Sequence, residues 1–438
     1  MFRLPEHGYN DCRSAMPATS IPHLRPKRAA KAVLRKIMLY SHDTYGLGHI
    51  RRCLAIAGCL RHIPANILII TGSIVTGRFN VPDRIDFVRI PGMIKKTNEE
   101  YFPVSMKLES SEVLEIRKKI ILAAASGFQP EFFIVDKAPL GMKREVLDTL
   151  LWLRDHLPSC NTVLGLRDIM DDSGSTIEDW TEKDIYGAMR DLYDEIWVYG
   201  CREFYDPVKE YRIPEDVALK THFTGYIHRK VPSADKISEA RNSLGIEKDE
   251  KVVLVTTGGG GDGYQAVDSF ISAFSPRLGG VPANVRAIVV AGPFMASQDY
   301  QVISQKCSTL GFKCQRFNRN MERLIGVADA VVSMGGYNTV CEIMSQRKPL
   351  LMLPRTIPRE EQLIRARVLS QRGYCDYLDQ RTLTAPVLRE RVLRLLENRE
   401  QYSNKLSSFP LTGLDRILRR IQARDEASQW ETLAAASE

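Results

Sequence analysis

The stretch that decides the fold runs from Ala328 to Gln362, ADAVVSMGGYNTVCEIMSQRKPLLMLPRTIPREEQ. ADAVVSM is a short apolar run of strand type that ends in Gly335-Gly336. Tyr337 to Gln346 reads as a helix with Asn338 and Thr339 near its first turn, where short polar side chains favour a start. PLLMLP gives a second buried strand bounded by prolines, and a charged turn leads into a helix from Glu361. Strand, glycine turn, helix and strand make a βαβ unit. Two adjacent glycines let a ligand approach the backbone. The free N–H groups and positive dipole end of a helix start suit a phosphate. Glu342 lies about one helical turn past Asn338, so the two side chains share a face. Glu361-Gln362 opens the next helix toward the same crevice.

Composition sets the outer limits. A chain of 438 residues, 44% hydrophobic and 26% charged, is long enough for two domains of a soluble globular protein. No run reaches the roughly 18 apolar residues of a membrane span. Prolines at 5, 17, 22 and 26 interrupt any signal-peptide core. Nine cysteines without a CxxC argue against a disulfide framework and against a structural zinc site, which points to a reducing cytosol. Residues 1–36 hold eight Lys/Arg against Glu6 and Asp11, six of the eight net positive charges. The remaining body is close to neutral and does not read as a nucleic-acid surface. The arm reads as disordered to about Ala29, with room for a short helix to Arg35. It is open to two readings, attraction to anionic lipid or RNA, or a solvated leader.

Apolar strands alternate with helices from residue 36 onward. KIMLYS (36–41) runs into HDTYGLGHIRR (42–52), a glycine turn between strand and helix that includes Gly48. Further strands read at 66–71, 85–90, 131–136, 161–166 and 195–199, with helices over Leu108–Ala125 and Lys143–His156. That alternation predicts a parallel sheet covered on both faces. Asp136 and Asp168 end two strands on the crevice side, or are solvated loop acids. Gly92 to Met106 mixes Met93, Ile94, Lys95, Lys96, Tyr101 and Phe102 outside the strand pattern. It reads as a long loop, an acceptor lid or a lipid contact.

A strand ends at Thr224, with Gly225 after it. KVVLVTTGGGGDG (251–263) opens the second half with a buried strand and a run of four glycines. Its amides, Gly259 and Gly260 among them, could cradle one side of a diphosphate. There is no GxxxxGK[ST], so this is not a Walker A loop. Strands at 285–292 and 313–317 lead back to the opening motif. After Gly373 the chain reads as mostly helical.

Met334-Gly335-Gly336-Tyr337-Asn338-Thr339-x-x-Glu342, with Glu361-Gln362 nineteen residues later, resembles the donor signature of nucleotide-sugar glycosyltransferases of GT-B fold, in particular family 28 with the enzymes of lipid-linked peptidoglycan precursors. The placement of GLGHIRR resembles the first βα turn of the same enzymes. GLGHIRR is also similar to GxGHxxR of an activated-sugar hydrolase on that fold. The resemblance implies an α/β chain of two Rossmann-like doubly wound domains facing a central cleft. It places the diphosphate on Gly48, Gly259, Gly260, Gly335, Gly336, Asn338 and Thr339, the ribose on Glu342, the donor sugar on Glu361 and Gln362, and the base on Arg316 and Phe317. His49 becomes the general base, an imidazole having its ordinary pKa near working pH. Asp136 and Asp168, at strand ends that face the crevice in such folds, could each assist His49 or hold the acceptor, and Asp136 is taken with His49 as the catalytic pair. Met334 stands where plant relatives have histidine, so one diphosphate contact is missing.

The expected organisation is a basic arm (1–35), an acceptor domain (36–228), a donor domain (229–397) and a helical segment (398–438) able to pack back on the first domain, with Gly225 at the hinge. The resemblance implies transfer of a sugar from a UDP-type donor to an unidentified hydroxyl on a small molecule, glycan or lipid, with inversion. The nucleotide sugar is a co-substrate. No other cofactor, no metal and no nucleic acid is expected. The expected location is the cytoplasm, with peripheral contact at the inner membrane face open. Hydrolysis or epimerisation of the donor, and non-catalytic donor binding, stand as alternatives.

Overall fold

Two parallel sheets carry the chain, described in a computed structural model over residues 34–42, 48–73, 81–95 and 100–435. The arm as far as residue 33, Gly46 of the first glycine turn, and Lys96 lie outside the described residues. The strands of the first half are β1 (Arg35–Ser41), β2 (Ala65–Thr71), β3 (Ile85–Arg89), β4 (Met93–Lys95), β5 (Tyr101–Pro103), β6 (Phe132–Asp136), β7 (Asn161–Arg167), β8 (Glu195–Tyr199) and β9 (Thr221–Phe223). Those of the second half are β10 (Lys251–Thr256), β11 (Val285–Val290), β12 (Lys313–Gln315), β13 (Ala330–Ser333), β14 (Leu350–Met352) and β15 (Asp376–Tyr377). Arg35 therefore begins a strand and does not end a helix.

The first sheet has the order β3-β2-β1-β6-β7-β8-β9 and the second β12-β11-β10-β13-β14-β15. Both are parallel throughout, which explains the apolar runs: Ile37 to Tyr40 and Val252 to Val255 are buried on both faces. In each sheet the order reverses beside its first strand, between β1 and β6 and between β10 and β13. Doubly wound sheets bind ligands outside the carboxyl ends of strands at that reversal. His49 and Asp136 follow β1 and end β6. The glycines 258–260 and 335–336 follow β10 and β13.

Several elements depart from the sequence reading. The helix expected over 108–125 spans Ser110–Phe128. The one expected from Lys143 starts at Leu147, because Gly141, Lys143 and Arg144 all have positive φ. Residues 93–95 and 101–103 form an antiparallel hairpin where a loop was expected. Edge strand β15, two residues long, lies in the region read as mostly helical. Gly225 has φ +89°, and an added Cβ would collide with Thr412. Tyr226 N donates to Pro410 O and Gly413 N to Tyr226 O, both at 3.0 Å. The last helix, Gly413–Ala435, then buries Leu414, Ile417 and Ile421 in the same core as Ile56 and Leu60 of helix Gly48–Leu60.

Candidate functional site in the cleft

His49 and Arg52 stand one turn apart at the start of helix Gly48–Leu60, so both reach the end of β6. His49 Nδ1 lies 2.6 Å from Asp136 Oδ2, while Arg52 grips the same carboxylate through Nε at 2.7 Å and Nη2 at 2.6 Å. The guanidinium lies 5.7 Å from the Tyr199 ring centre and 5.5 Å from that of Tyr337. Burial would raise the Asp136 carboxyl, but Arg52 and His49 outweigh it and hold the group well below the ordinary carboxylate range. A carboxylate so held accepts only, so Nδ1 carries the proton and Nε2 keeps a lone pair. Burial pulls His49 down to about 4 against the opposing pull of Asp136, which leaves the imidazole neutral at pH 7. Asp136 thus orients a base and is not itself a free acid.

The facing wall is the opening motif. Gly335 has φ +85°, and a Cβ there would lie 2.9 Å from Met352 Sδ, so backbone and packing both require glycine. Gly336 differs. Its φ of −60° and ψ of 140° suit any residue, and a Cβ would meet nothing within 4 Å. Open space therefore stands over the N-terminus of helix Tyr337–Ser345. Thr339 Oγ1 lies 3.5 Å from the Cβ position of Gly258, which sets the glycine run beside that helix start. Gly260 (φ +85°) packs backbone to backbone on Gly292, and Gly259 O accepts from Phe294 N at 2.9 Å. Met334 points into the second-half core beside Val255 and Leu353, away from the cleft, so it does not replace the missing imidazole.

Asn338 and Glu342 of the motif are engaged by the first half, Glu361 and Gln362 by Arg355 of their own half. Asn338 Nδ2 donates to Gly48 O at 3.1 Å, and its Oδ1 accepts from Arg229. A Cβ on Gly48 would sit 2.7 Å from Asn338 Nδ2, so the two glycine turns meet here. Glu342 pairs with Arg51 at 2.7 Å. Arg355 bonds Glu361 Oε1 at 2.8 Å, gives its backbone N–H to Gln362 Oε1 at 3.2 Å, and pairs with Asp262 at 2.7 Å. Arg316 donates to Met295 O at 2.7 Å and lies over the Tyr300 ring, whereas Phe317 is 43% exposed.

Two features escaped the sequence reading. Asp168 is buried and not solvated: Arg365 holds it bidentately at 2.8 and 2.6 Å, and Arg365 Nη1 also donates to Gly335 O at 3.0 Å. This buried pair joins β7 to the donor-type motif. Tyr337 stacks on Tyr226 at 6.0 Å and accepts from Ile227 N through its hydroxyl at 3.3 Å. Arg52 was legible as the last residue of GLGHIRR; nothing in sequence paired Asp168 with a residue almost 200 positions away. Among the described residues no group of three His, Cys, Asp or Glu is placed to hold a metal ion, and no helix is long and apolar enough to cross a membrane.

A separate groove of about 590 Å³, lined by Asp376, Arg394, Tyr402 and Lys405 among others, shares no residue with this site. Its carboxylate is already held by Arg394 at 2.5 Å.

Residues 252–419 match the glycosyltransferase family 28 C-terminal domain. The UDP-N-acetylglucosamine--N-acetylmuramyl-(pentapeptide) pyrophosphoryl-undecaprenol N-acetylglucosamine transferase of Geobacillus kaustophilus is 34% identical over 107 residues, 23% of this chain and 30% of that protein. The enzyme of the same name from Paenarthrobacter aurescens is 25% identical over 175 residues, 40% of this chain and 45% of that protein. The chain thus spans between about a third and a half of the length of such relatives. Among solved structures, a UGT transferase from Siraitia grosvenorii in complex with UDP superposes with TM-score 0.59 at 13% identity, over 88% of this chain and 99% of that one. Acinetobacter baumannii MurG gives 0.55 at 12%, over 89% and 99%. The fold is GT-B, as the resemblance implied.

Proposed function

We propose that this chain, whose residues 252–419 carry the C-terminal domain of glycosyltransferase family 28, transfers a sugar from a UDP-linked donor to a hydroxyl acceptor. The observation that carries the reading is the hydrogen bond from Asn338 to Gly48 O at 3.1 Å. It sets the first turn of the donor-type helix against the neighbour of His49.

In this reading the diphosphate occupies the open space over Gly336, with Gly258, Gly259 and Gly260 as the facing lip and Thr339 between them. Glu342 exchanges Arg51 for the ribose hydroxyls. The free Oε2 of Glu361, buried with no hydrogen-bond partner, takes a donor-sugar hydroxyl together with Gln362. Phe317 offers an exposed ring to the base; Arg316 fixes the loop beneath it. His49 Nε2 accepts the proton of the acceptor hydroxyl as its oxygen attacks the anomeric carbon and the bond to the diphosphate breaks. Attack opposite the leaving group inverts that carbon. Asp136 stabilises the imidazolium formed, and the helix amides stabilise charge on the departing diphosphate. None of these steps requires a metal.

The matched residues lie in the half read here as the donor half, and the named relatives use UDP-N-acetylglucosamine, so that compound is the donor to test first. For the acceptor, Phe102, Val104, Met106 and Leu108 are 38–46% exposed beside the β4–β5 hairpin. Alternate apolar side chains facing out favour a lipid-borne acceptor met at a membrane surface. Met93, only 4% exposed and packed on Val113 and Met142, does not belong to that surface. The test is UDP release from a panel of UDP-sugars with and without lipid extracts. Release that needs both lipid and His49 supports the transferase. Equally fast His49-dependent release in water alone means a hydrolase.

A further inference from the structure

The fully buried arginines of the first half have partners, whereas the half-buried Arg167 has none. Arg52 is held by Asp136 and Arg117 by Glu145. The side chain of Arg167, the last residue of β7, makes no hydrogen bond and no ion pair among the described residues, and its Nε is buried without an acceptor. Its neighbours of like charge are Arg52, Arg359 and Arg365, while the nearest strong opposing influence is Glu361. Of those three cations, Arg52 and Arg365 already hold a carboxylate and Arg359 lies 3.7 Å from Asp171. Burial, together with the nearby arginines, pulls the Arg167 guanidinium from its ordinary range down to about 10.

Two further buried polar atoms near this strand end lack partners. Glu361 Oε2 is one. The other is the Tyr199 hydroxyl, which lies where a side chain on Gly165 would be, two residues before Arg167 on the same strand face. A donor and an acceptor of opposite charge that influence each other without closing an ion pair leave room for a third party. Left empty, each loses its hydration with nothing in return. Arg167 belongs to the acceptor half, yet its field meets the residue assigned to the donor sugar.

We propose that Arg167 binds a phosphoryl oxyanion where the acceptor meets the donor sugar, with the Tyr199 hydroxyl as a second donor to the same group. A planar guanidinium with free N–H groups matches such an oxyanion in two-point geometry. The identification of the oxyanion as phosphoryl rests on the UDP-sugar reading above. Its source is either the sugar-side phosphate of the donor or a phosphate carried by the acceptor.

The test compares wild type with Arg167→Gln and Arg167→Lys by calorimetry, using inorganic pyrophosphate and UDP as probes, at matched ionic strength. Arg167→Gln is expected to weaken pyrophosphate at least tenfold and Arg167→Lys by less, because a point charge keeps attraction but not the fork. Melting temperature should hold or rise in Arg167→Gln, since the substitution removes an uncompensated, half-buried charge. A parallel loss of UDP affinity assigns the oxyanion to the donor. Unchanged UDP affinity, with pyrophosphate binding to the UDP-loaded protein lost, assigns it to the acceptor. Pyrophosphate binding equal to wild type, none in wild type, or a melting temperature several degrees lower in Arg167→Gln overturns the proposal. Failure of wild type to bind UDP would instead sink the donor reading, and the pyrophosphate comparison would still decide Arg167.

Discussion

Adjacent glycines should fail in opposite ways. Gly336→Ala adds a methyl where no atom lies within 4 Å and where the backbone already suits alanine. Lower freedom in the unfolded chain adds about 0.4–1 kcal/mol of stability. Alanine is a poorer helix N-cap than glycine by a similar amount, so folding should move by less than about 1 kcal/mol. The methyl projects into the space assigned to the diphosphate. Loss of one hydrogen bond to a charged group there is worth about 1.5–3 kcal/mol, or roughly 10- to 100-fold in UDP affinity. Gly335→Ala must instead hold a side chain at φ +85° with its Cβ 2.9 Å from Met352 Sδ. The left-handed backbone alone costs about 1–2 kcal/mol, which lowers the melting temperature by several degrees. Calorimetry with UDP and thermal unfolding of both variants separate the two effects. Wild-type UDP affinity in Gly336→Ala refutes the placement of the diphosphate.

Other outcomes follow from the same geometry. His49 is neutral in the fold down to about pH 4, whereas an unfolded histidine protonates near 6.5. The unfolded chain therefore binds more protons between those values, and stability should fall by up to about 3 kcal/mol as pH drops from 6.5 to 4. His49→Ala should lessen that dependence in denaturant melts, with His42, likewise pulled down by burial, keeping the remainder, and an unchanged slope would place its origin elsewhere. Transfer should stay constant through neutral pH and fall only on the acid side. Asp168→Ala leaves Arg365 buried and unpaired between the two halves. It should cost about 3–5 kcal/mol in denaturant unfolding; a loss under 1 kcal/mol would mean that the clasp is solvated. Replacing Phe102 and Val104 by serine should reduce sedimentation with lipid vesicles several-fold at constant UDP affinity. Unchanged sedimentation would remove this hairpin from membrane contact.

What the sequence made legible was local. β1, β10 and β13 were readable because buried parallel strands leave continuous apolar runs, and the helix from Tyr337 because polar residues at its first turn follow two glycines. His49 was found in the glycine turn after one strand and Asp136 at the end of another, and their 2.6 Å contact is a consequence of β1 and β6 pairing side by side. The misses were short or distant. Strand β15 has two residues, too few for any periodicity. Arg365 and Asp168 meet through the packing of two halves, which no spacing along the chain encodes. Arg167 was passed over beside Asp168 in GLRDI because its distinction is the absence of a partner, and absence is visible only in three dimensions.

The central claim is that one nucleotide-sugar donor binds between the glycine turns that Asn338 and Gly48 bring together. Calorimetric titration of UDP into the full chain and into Glu342→Gln tests it most directly. The account predicts one UDP per chain in wild type, with binding at least tenfold weaker in Glu342→Gln and inorganic pyrophosphate affinity unchanged, since Glu342 serves the ribose. No UDP binding in wild type, or equal binding in the two proteins, would contradict it.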